Sequence, residues 1–375
     1  MMSKSTVYFT DFRTKAFGDG LPNKLRKLIR RAGIERLNMD GKFVAIKMHF
    51  GELGNISYLR PNYARAVVDV VKELGGKPFL TDCNTLYVGS RKNALDHLDT
   101  AYMNGFSPLQ TGCHVIIADG LKGTDEALVP INLEYVKEAK IGQAIMDADV
   151  VISLSHFKGH ESAGFGGALK NLGMGSGSRS GKMEQHCDGK PFVKEEQCIG
   201  CGSCQRICAH SAPVIENRKA HIDQNKCVGC GRCLAVCPKN AIKPTFQDSN
   251  KLLNYKMAEY AYAVCKDRPC FHITLICDVS PCCDCHAEND IPIIPDVGML
   301  ASFDPVALDQ ACVDLCNKQP VIAGSQLDEH LKEFGHAEHD HEHFHMNHPD
   351  SEWKTCLEHA EKIGMGGRDY KLIQI

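Results

Sequence analysis

Short apolar, β-branched stretches alternate along this chain with longer segments whose apolar residues recur every three or four positions. Thr6–Thr10, Lys42–His49, Lys77–Thr81, His114–Ala118, Asp149–Ser155 and Ile273–Cys277 read as buried strands. Pro61 opens the clearest helix, which carries Tyr63, Val67, Val70, Val71 and Leu74 on one face and stops at Gly75–Gly76. Leu21–Gly33, Arg91–Tyr102, Glu134–Met146 and Pro305–Leu315 read as helices by the same tests, the last with Asp304 as its N-cap. This alternation predicts an α/β fold, a largely parallel sheet with helices on both faces.

Polar motifs follow the strands. Lys47, His49 and Gly51 close the second, and Asp82, Asn84 and Thr85 follow the third. His156, Lys158 and His160 follow the Asp149–Ser155 strand, while Cys282, Cys283 and Cys285 follow Ile273–Cys277. Open α/β sheets bind ligands beyond the carboxyl ends of their strands, so four such motifs predict one shared pocket.

The alternation breaks between about Met183 and Gln247, where C-x2-C-x2-C-x3-C occurs twice. In two-cluster ferredoxins three cysteines of each run hold one cluster and the fourth crosses to the other. Cys198, Cys201, Cys204 and Cys237 are therefore expected to ligate one [4Fe-4S] centre, and Cys227, Cys230, Cys233 and Cys208 the other. Structural zinc favours two separated C-x2-C pairs, which this spacing does not provide. Gly200, Gly202, Gly229 and Gly231 let the backbone fold tightly around sulfur. Cys237 is followed by Pro238, but Cys208 by Ala209 and His210, a local departure read as tuning of potential at most.

Composition narrows the class. With 43 Lys/Arg against 46 Asp/Glu, no strong field for nucleic acid or an anionic membrane arises. No apolar run approaches the roughly 20 residues of a membrane span, and MMSKSTVYFTDF lacks a secretory apolar core. The 20 cysteines, without an export signal, imply a reducing, cytoplasmic setting, that of an anaerobe. From His186 to Thr245 the chain has nine Lys/Arg and five Asp/Glu, an excess that offsets the negative charge of two clusters.

Within HFKGHESAGFGGALKN, Lys158, His160 and Lys170 supply cations, and Gly164, Gly166 and Gly167 allow close backbone approach at a helix start. That combination suits a phosphate or carboxylate, or else only tight helix–sheet packing. GMGSGSRSGK fails as a phosphate loop, because its spacing is wrong and Met183 stands where Ser or Thr is needed. The pocket residues expected are Lys47, His49, Asn84, Lys158, Gly166, Gly167, Lys170 and Asn171. Flavin mononucleotide, plain or modified, is a candidate occupant, since a flavin takes single electrons and delivers two. His160, Cys283 and Cys285 are candidate catalytic groups; the two thiols form either a redox pair or metal ligands. Seven histidines from His330 to His348 bind metals readily at this density but read as a hydrophilic surface insertion.

Four stretches together resemble a family known as domain of unknown function 362, found in iron–sulfur proteins of anaerobic bacteria and archaea. They are KMHFGELGNISYLRP from Lys47, KPFLTDCNTLYVGSR from Lys77, HFKGHESAGFGGALKNLGMG from His156 and CDCHAENDIPIIPDVGMLASFDPVALDQA from Cys283. The C-terminal WKTCLEHAEKIGMGGRDYKLI is also similar. The resemblance implies that the cysteine-rich unit is a regular inserted part. The expected organisation is an α/β body over 1–182, a ferredoxin-like 2[4Fe-4S] domain over 183–247, and the rest of the body over 248–375 with the His-rich stretch at 330–348. The expected function is an iron–sulfur oxidoreductase whose clusters exchange electrons with a flavin or small anionic substrate at the sheet edge. The alternative is a non-enzymatic electron carrier that docks a larger redox partner protein.

Overall fold

The computed structural model describes residues 4–86, 89–186, 190–227, 229, 231–244, 250–334 and 342–375. Eight strands form the main sheet: β1 (Ser5–Asp11), β2 (Phe43–Lys47), β3 (Lys77–Asp82), β4 (Val115–Ile117), β5 (Val150–His156), β6 (Cys270–Ile276), β7 (Gly298–Ser302) and β8 (Tyr370–Gln374). Their spatial order is β8-β1-β7-β6-β5-β2-β3-β4. The neighbours β6, β5, β2, β3 and β4 run parallel, and β7 runs against both β6 and β1. The largely parallel α/β fold expected from the alternation is the one observed.

Every residue of β5 is buried, as a strand covered on both faces must be. Val150, Ile152 and Leu154 pack with Leu25, Leu28 and Ile29 of the helix Leu21–Arg31 and the Val67–Val71 stretch of the helix Pro61–Glu73. Val151 faces the other way, towards the helices Ala168–Ser176, Asn250–Cys265, Pro305–Cys316 and Trp353–Lys362. Side-chain alternation along one strand thus splits the interior into two cores. The helix Pro61–Glu73 ends where Gly75 takes φ of +77°, a conformation glycine adopts without a Cβ penalty. Asp304 caps Pro305–Cys316 by accepting from the N–H groups of Val306 and Ala307.

One expected helix is not there. Glu134–Met146 is instead a turn, the strand Glu138–Gly142 paired antiparallel with Glu126–Pro130, and a single helical turn from Gln143 to Met146. Two features override the helical pattern. The buried carboxylate of Glu259 accepts from the N–H groups of Tyr135 and Val136, and Ala139 and Ile141 alternate inward with period two.

The doubled cysteine run lies between the helices Arg179–His186 and Asn250–Cys265, so position 183 falls inside a helix. Position 247 lies outside the described residues. Short antiparallel pairs join Pro191–Val193 to Ile242–Pro244 and Pro213–Glu216 to Lys219–Ile222. The histidine-dense stretch is not simply a surface insertion. His343 and Phe344 are buried, His343 Nε2 lies 3.0 Å from the Gln319 carbonyl, and His348 Nε2 lies 2.7 Å from that of Pro281. His336, His339 and His341 lie outside the described residues.

Candidate functional site

The carboxyl ends of β6, β5, β2 and β3 are adjacent, so the four polar motifs meet. They wall a cavity of about 830 Å³, counting the space at its mouth. Lys47, His49, Lys158, His160, Gly166, Gly167, Lys170, Asn171 and Cys285 line it, together with Asp82, Arg91, His156, Lys182 and His186. Leu154, Met174, Leu253 and Met257 supply apolar wall.

Lys47 and Lys158 are held in place by carboxylates. Lys47 Nζ lies 2.9 Å from Asp82 Oδ1 and donates to Asn171 Oδ1 at 2.8 Å. The Asn171 amide donates in turn to the Lys47 carbonyl and Ser155 Oγ, so its role is to aim Lys47. Burial is the largest single influence on Asp82 and opposes its ionisation, but Lys47, His49, His97 and Lys182 together outweigh it and hold the carboxyl well below its ordinary range. Lys158 Nζ lies 3.1 Å from Asp284 Oδ2, and Asp284 also faces His156 Nδ1 at 2.9 Å.

Arg91 is 1% exposed, a large cation taken almost wholly out of water. Its Nε donates to Glu52 at 3.0 Å and its NH1 meets His49 Nε2 at 2.9 Å, while NH2 finds no partner among the described residues. His49 Nδ1 accepts from Gly51 N–H, so both ring nitrogens face donors. Burial, then Arg91, hold His49 well below its ordinary value and keep it neutral. Lys182 donates to the carbonyls of Gly177 and Gly175 at 2.6 and 3.4 Å. The cavity wall is therefore cationic: Lys47, Arg91 and Lys158 pair with the carboxylates of Asp82, Glu52 and Asp284, whereas Lys170 and Lys182 add positive charge without a carboxylate bonded to them among the described residues.

Two expected pocket roles take a different form. Asn84 gives its backbone N–H and its amide to Asp119 Oδ1, both at 2.9 Å, and so braces the loop behind the cavity. Gly167 starts the helix Ala168–Ser176, but the first helical N–H groups are already satisfied. Asp309, from the helix Pro305–Cys316, accepts from Ala168 at 2.7 Å and Leu169 at 2.9 Å. That buried carboxylate occupies the anion position of the helix start, and a Cβ on Gly167 would collide with it. Gly166 packs beside the Lys158 side chain.

At one end of the cavity, donor atoms of His160, Cys283 and Cys285 lie within 4.8 Å of one another, a group that could hold a metal ion. Glu161, Cys285 and His286 form an overlapping set. Lys170 Nζ lies 3.3 Å from Cys283 Sγ. The Cys285 thiol, Lys170 and His160 hold the Cys283 thiol well below its ordinary value against the opposing effect of burial. Cys282 is separate in character, since burial pushes its thiol up to about 11.

The cysteine runs form two smaller voids. Cys198, Cys201, Cys204 and Cys237 line one of about 340 Å³, and Cys208, Cys227 and Cys233 another of about 350 Å³. Cys230 lies outside the described residues. The two runs share their backbone: Gly200 and Gly202 take φ of +65° and +74°, Gly229 and Gly231 of +75° and +66°. Backbone N–H groups reach sulfur, from Ala220 to Cys198 at 3.3 Å and from Ala241 to Cys237 at 3.2 Å. Leu86 connects the sites: it lines the large cavity and packs with Met183, Cys204, Leu234 and Ile242.

Asp82 and His156 stood in motifs that marked the cavity. Arg91, His186 and Asp284 did not stand out in the sequence, and Lys182 stood only in the GMGSGSRSGK run that fails as a phosphate loop. Arg91 follows β3 by several residues, and its burial depends on Glu52, far away in the chain. Among the described residues no helix is long and apolar enough to cross a membrane.

Comparison with known proteins adds a family. A thylakoid-associated protein of Synechocystis sp. is 30% identical over 128 residues, which is 33% of this chain and 34% of the relative. The chain thus aligns with about a third of the curated relative's length. Lactate racemase apoprotein from Thermoanaerobacterium thermosaccharolyticum superposes with a TM-score of 0.38 at 13% identity, covering 68% of this chain and 49% of that one. A Thermotoga maritima protein gives 0.42 at 11% identity, covering 79% and 57%. Residues 44–314 match a family outright, and the chain belongs to it: Domain of unknown function (DUF362).

Proposed function

We propose that this protein is an iron–sulfur oxidoreductase in which two [4Fe-4S] centres serve an anionic organic ligand held in the cationic cavity. The observation that carries the reading is the shared wall: Leu86 belongs both to the cavity and to the packing around Cys204 and Leu234. The donor sets fit cubanes. Four thiols line one void, with N–H groups on two of the sulfurs and no carboxylate or imidazole among the described residues that line it; the other void has three described thiols and His210. Cys198, Cys201, Cys204 and Cys237 would hold one centre, and Cys227, Cys230, Cys233 and Cys208 the other. Such centres supply single electrons at potentials tuned by burial and N–H donors.

The chain's own residues define the ligand. Arg91, whose NH2 has no partner among the described residues, and Lys170 and Lys182, which bond no carboxylate there, favour a phosphate or carboxylate. Leu154, Met174, Leu253 and Met257 favour an apolar or aromatic body. Flavin mononucleotide, plain or modified, satisfies both demands; a small anionic substrate satisfies the first.

A second reading, an electron carrier that docks a partner protein, draws on Ile199, which is 50% exposed beside the exposed Cys201. Anaerobic purification separates the two. About eight irons per chain are expected, together with an organic anion in the acid-released fraction by mass spectrometry. Iron without any such ligand, and a cavity that takes up no flavin, would favour the carrier. Protein that never holds iron would end both.

A further inference from the structure

The pair Cys283–Cys285 has an environment suited to sulfur chemistry of its own. Asp284, between them, is clamped by His156 and Lys158 through its side chain, and its carbonyl accepts from Glu52 N–H at 2.9 Å. The two sulfurs are thereby presented from a fixed loop. Cysteines two apart fall in the Cα range that a disulfide spans. Cys285 lines the cavity and Cys283 stands behind it, 1% exposed, with the Lys170 ammonium 3.3 Å away.

His160 distinguishes thiol chemistry from metal ligation. Its Nδ1 accepts from the N–H groups of Ser162 and Ala163, both at 3.0 Å. The ring's own proton is therefore on Nε2, the nitrogen left to face Cys283. A histidine that binds metal would offer a lone pair there and donate from its other nitrogen. Together with an ammonium against the sulfur, this arrangement favours a thiolate over a metal-bound sulfur.

The geometry points to a redox-active dithiol, Cys283 and Cys285, that reduces a small anionic disulfide admitted to the cationic cavity. The step needs one proton on the pair, shared between two adjacent sulfurs. Cys285 passes its proton to Cys283 and attacks one sulfur of the substrate, breaking the S–S bond and forming a mixed disulfide. The displaced thiolate takes the proton from Cys283. The Cys283 thiolate then attacks the Cys285 sulfur, closing the Cys283–Cys285 disulfide and releasing the second substrate thiolate. The protein pair loses two electrons and the substrate disulfide gains them; one thiol and one thiolate leave. Lys182 and Arg91 select the anionic substrate, and Lys170 with His160 stabilises the Cys283 thiolate for the closing attack. This step involves neither iron nor flavin, so it stands or falls apart from the function proposed above.

The test uses the full chain, purified anaerobically, exposed to oxidised glutathione or to neutral bis(hydroxyethyl) disulfide. Acid quenching, alkylation and peptide mass spectrometry then locate the products. A Cys283–Cys285 disulfide is expected, formed at least tenfold faster with the anionic reagent. Cys283→Ser is expected to trap a glutathionyl adduct on Cys285, while Cys285→Ser leaves Cys283 unmodified. Lys170→Met, checked for native circular dichroism, is expected to slow closure at least tenfold. No disulfide and no trapped adduct at these positions would overturn the proposal, as would thiols that react only after a chelator strips a bound metal. Equal rates with the two reagents would overturn the anionic specificity.

Discussion

Lys47 and Asp82, on the ends of adjacent parallel strands, form an ion pair of 2.9 Å with both side chains almost fully buried. Removing one member of such a pair leaves an uncompensated charge in a poorly solvated site. Lys47→Met is expected to destabilise the protein by about 3 to 5 kcal/mol, and Lys47→Met with Asp82→Asn to recover most of that loss. Urea unfolding of the two variants measures it. A double variant as unstable as the single one would show that the pair is not the source.

Asp309 replaces a local N-cap for the helix Ala168–Ser176 from a distant part of the chain. Asp309→Ala strips two N–H groups of their acceptor at once. The expected cost is about 1 to 3 kcal/mol, with Asp309→Asn intermediate because one acceptor oxygen remains. Urea midpoints check the order wild type, Asn, Ala.

His272 is buried on β6 with Nδ1 3.0 Å from Ser153 Oγ, and burial pushes its pKa down to about 3. In the unfolded chain the ring protonates near its ordinary value of about 6.5. The unfolded state thus binds the extra proton first as pH falls. This contribution to stability is complete above about pH 6.5 and is lost as pH drops towards 3. Between pH 6.5 and 4.5 the wild type is expected to lose about 2 to 3 kcal/mol more than His272→Gln. Parallel urea titrations at the two pH values would refute this by giving equal losses.

Crossed ligation makes a pairwise prediction. Cys237→Ser should remove the iron associated with Cys198, Cys201 and Cys204, leaving about half of the total. Adding Cys198→Ser should remove no more, whereas adding Cys227→Ser should remove most of the rest. Iron analysis of the three proteins distinguishes this from ligation within each run, for which the second substitutions would exchange effects.

Among the described residues Lys182 donates to two carbonyl groups of its own neighbourhood and forms no ion pair, so its charge faces the cavity. Lys182→Met is expected to weaken flavin mononucleotide binding about tenfold, or 1.4 kcal/mol, in a fluorescence titration. Unchanged affinity would place the phosphate elsewhere.

Much of this protein is determined locally and is legible without coordinates. Strands such as β5 are apolar at most positions and β-branched, and the Pro61 helix carries its own start and stop. The cysteine spacing, read through the crossed pattern of two-cluster ferredoxins, groups Cys198, Cys201 and Cys204 with Cys237, and Cys208 with Cys227 and Cys233, and the same groups line the two small voids. Glu134–Met146 shows the limit of such reading: its local pattern suits a helix, and a carboxylate from Glu259 decides otherwise. Asn84 shows another, since a polar residue after a strand can brace a loop as readily as face a ligand. Only the tertiary structure decided which charges share the cavity. The order β6, β5, β2, β3 brings Cys285, Lys158, Lys47 and Asp82 together, and partners far off in sequence permit the burial of Arg91 and Asp309. Periodicity and spacing act over a few residues, whereas burying a charge requires compensation in three dimensions, wherever along the chain it comes from.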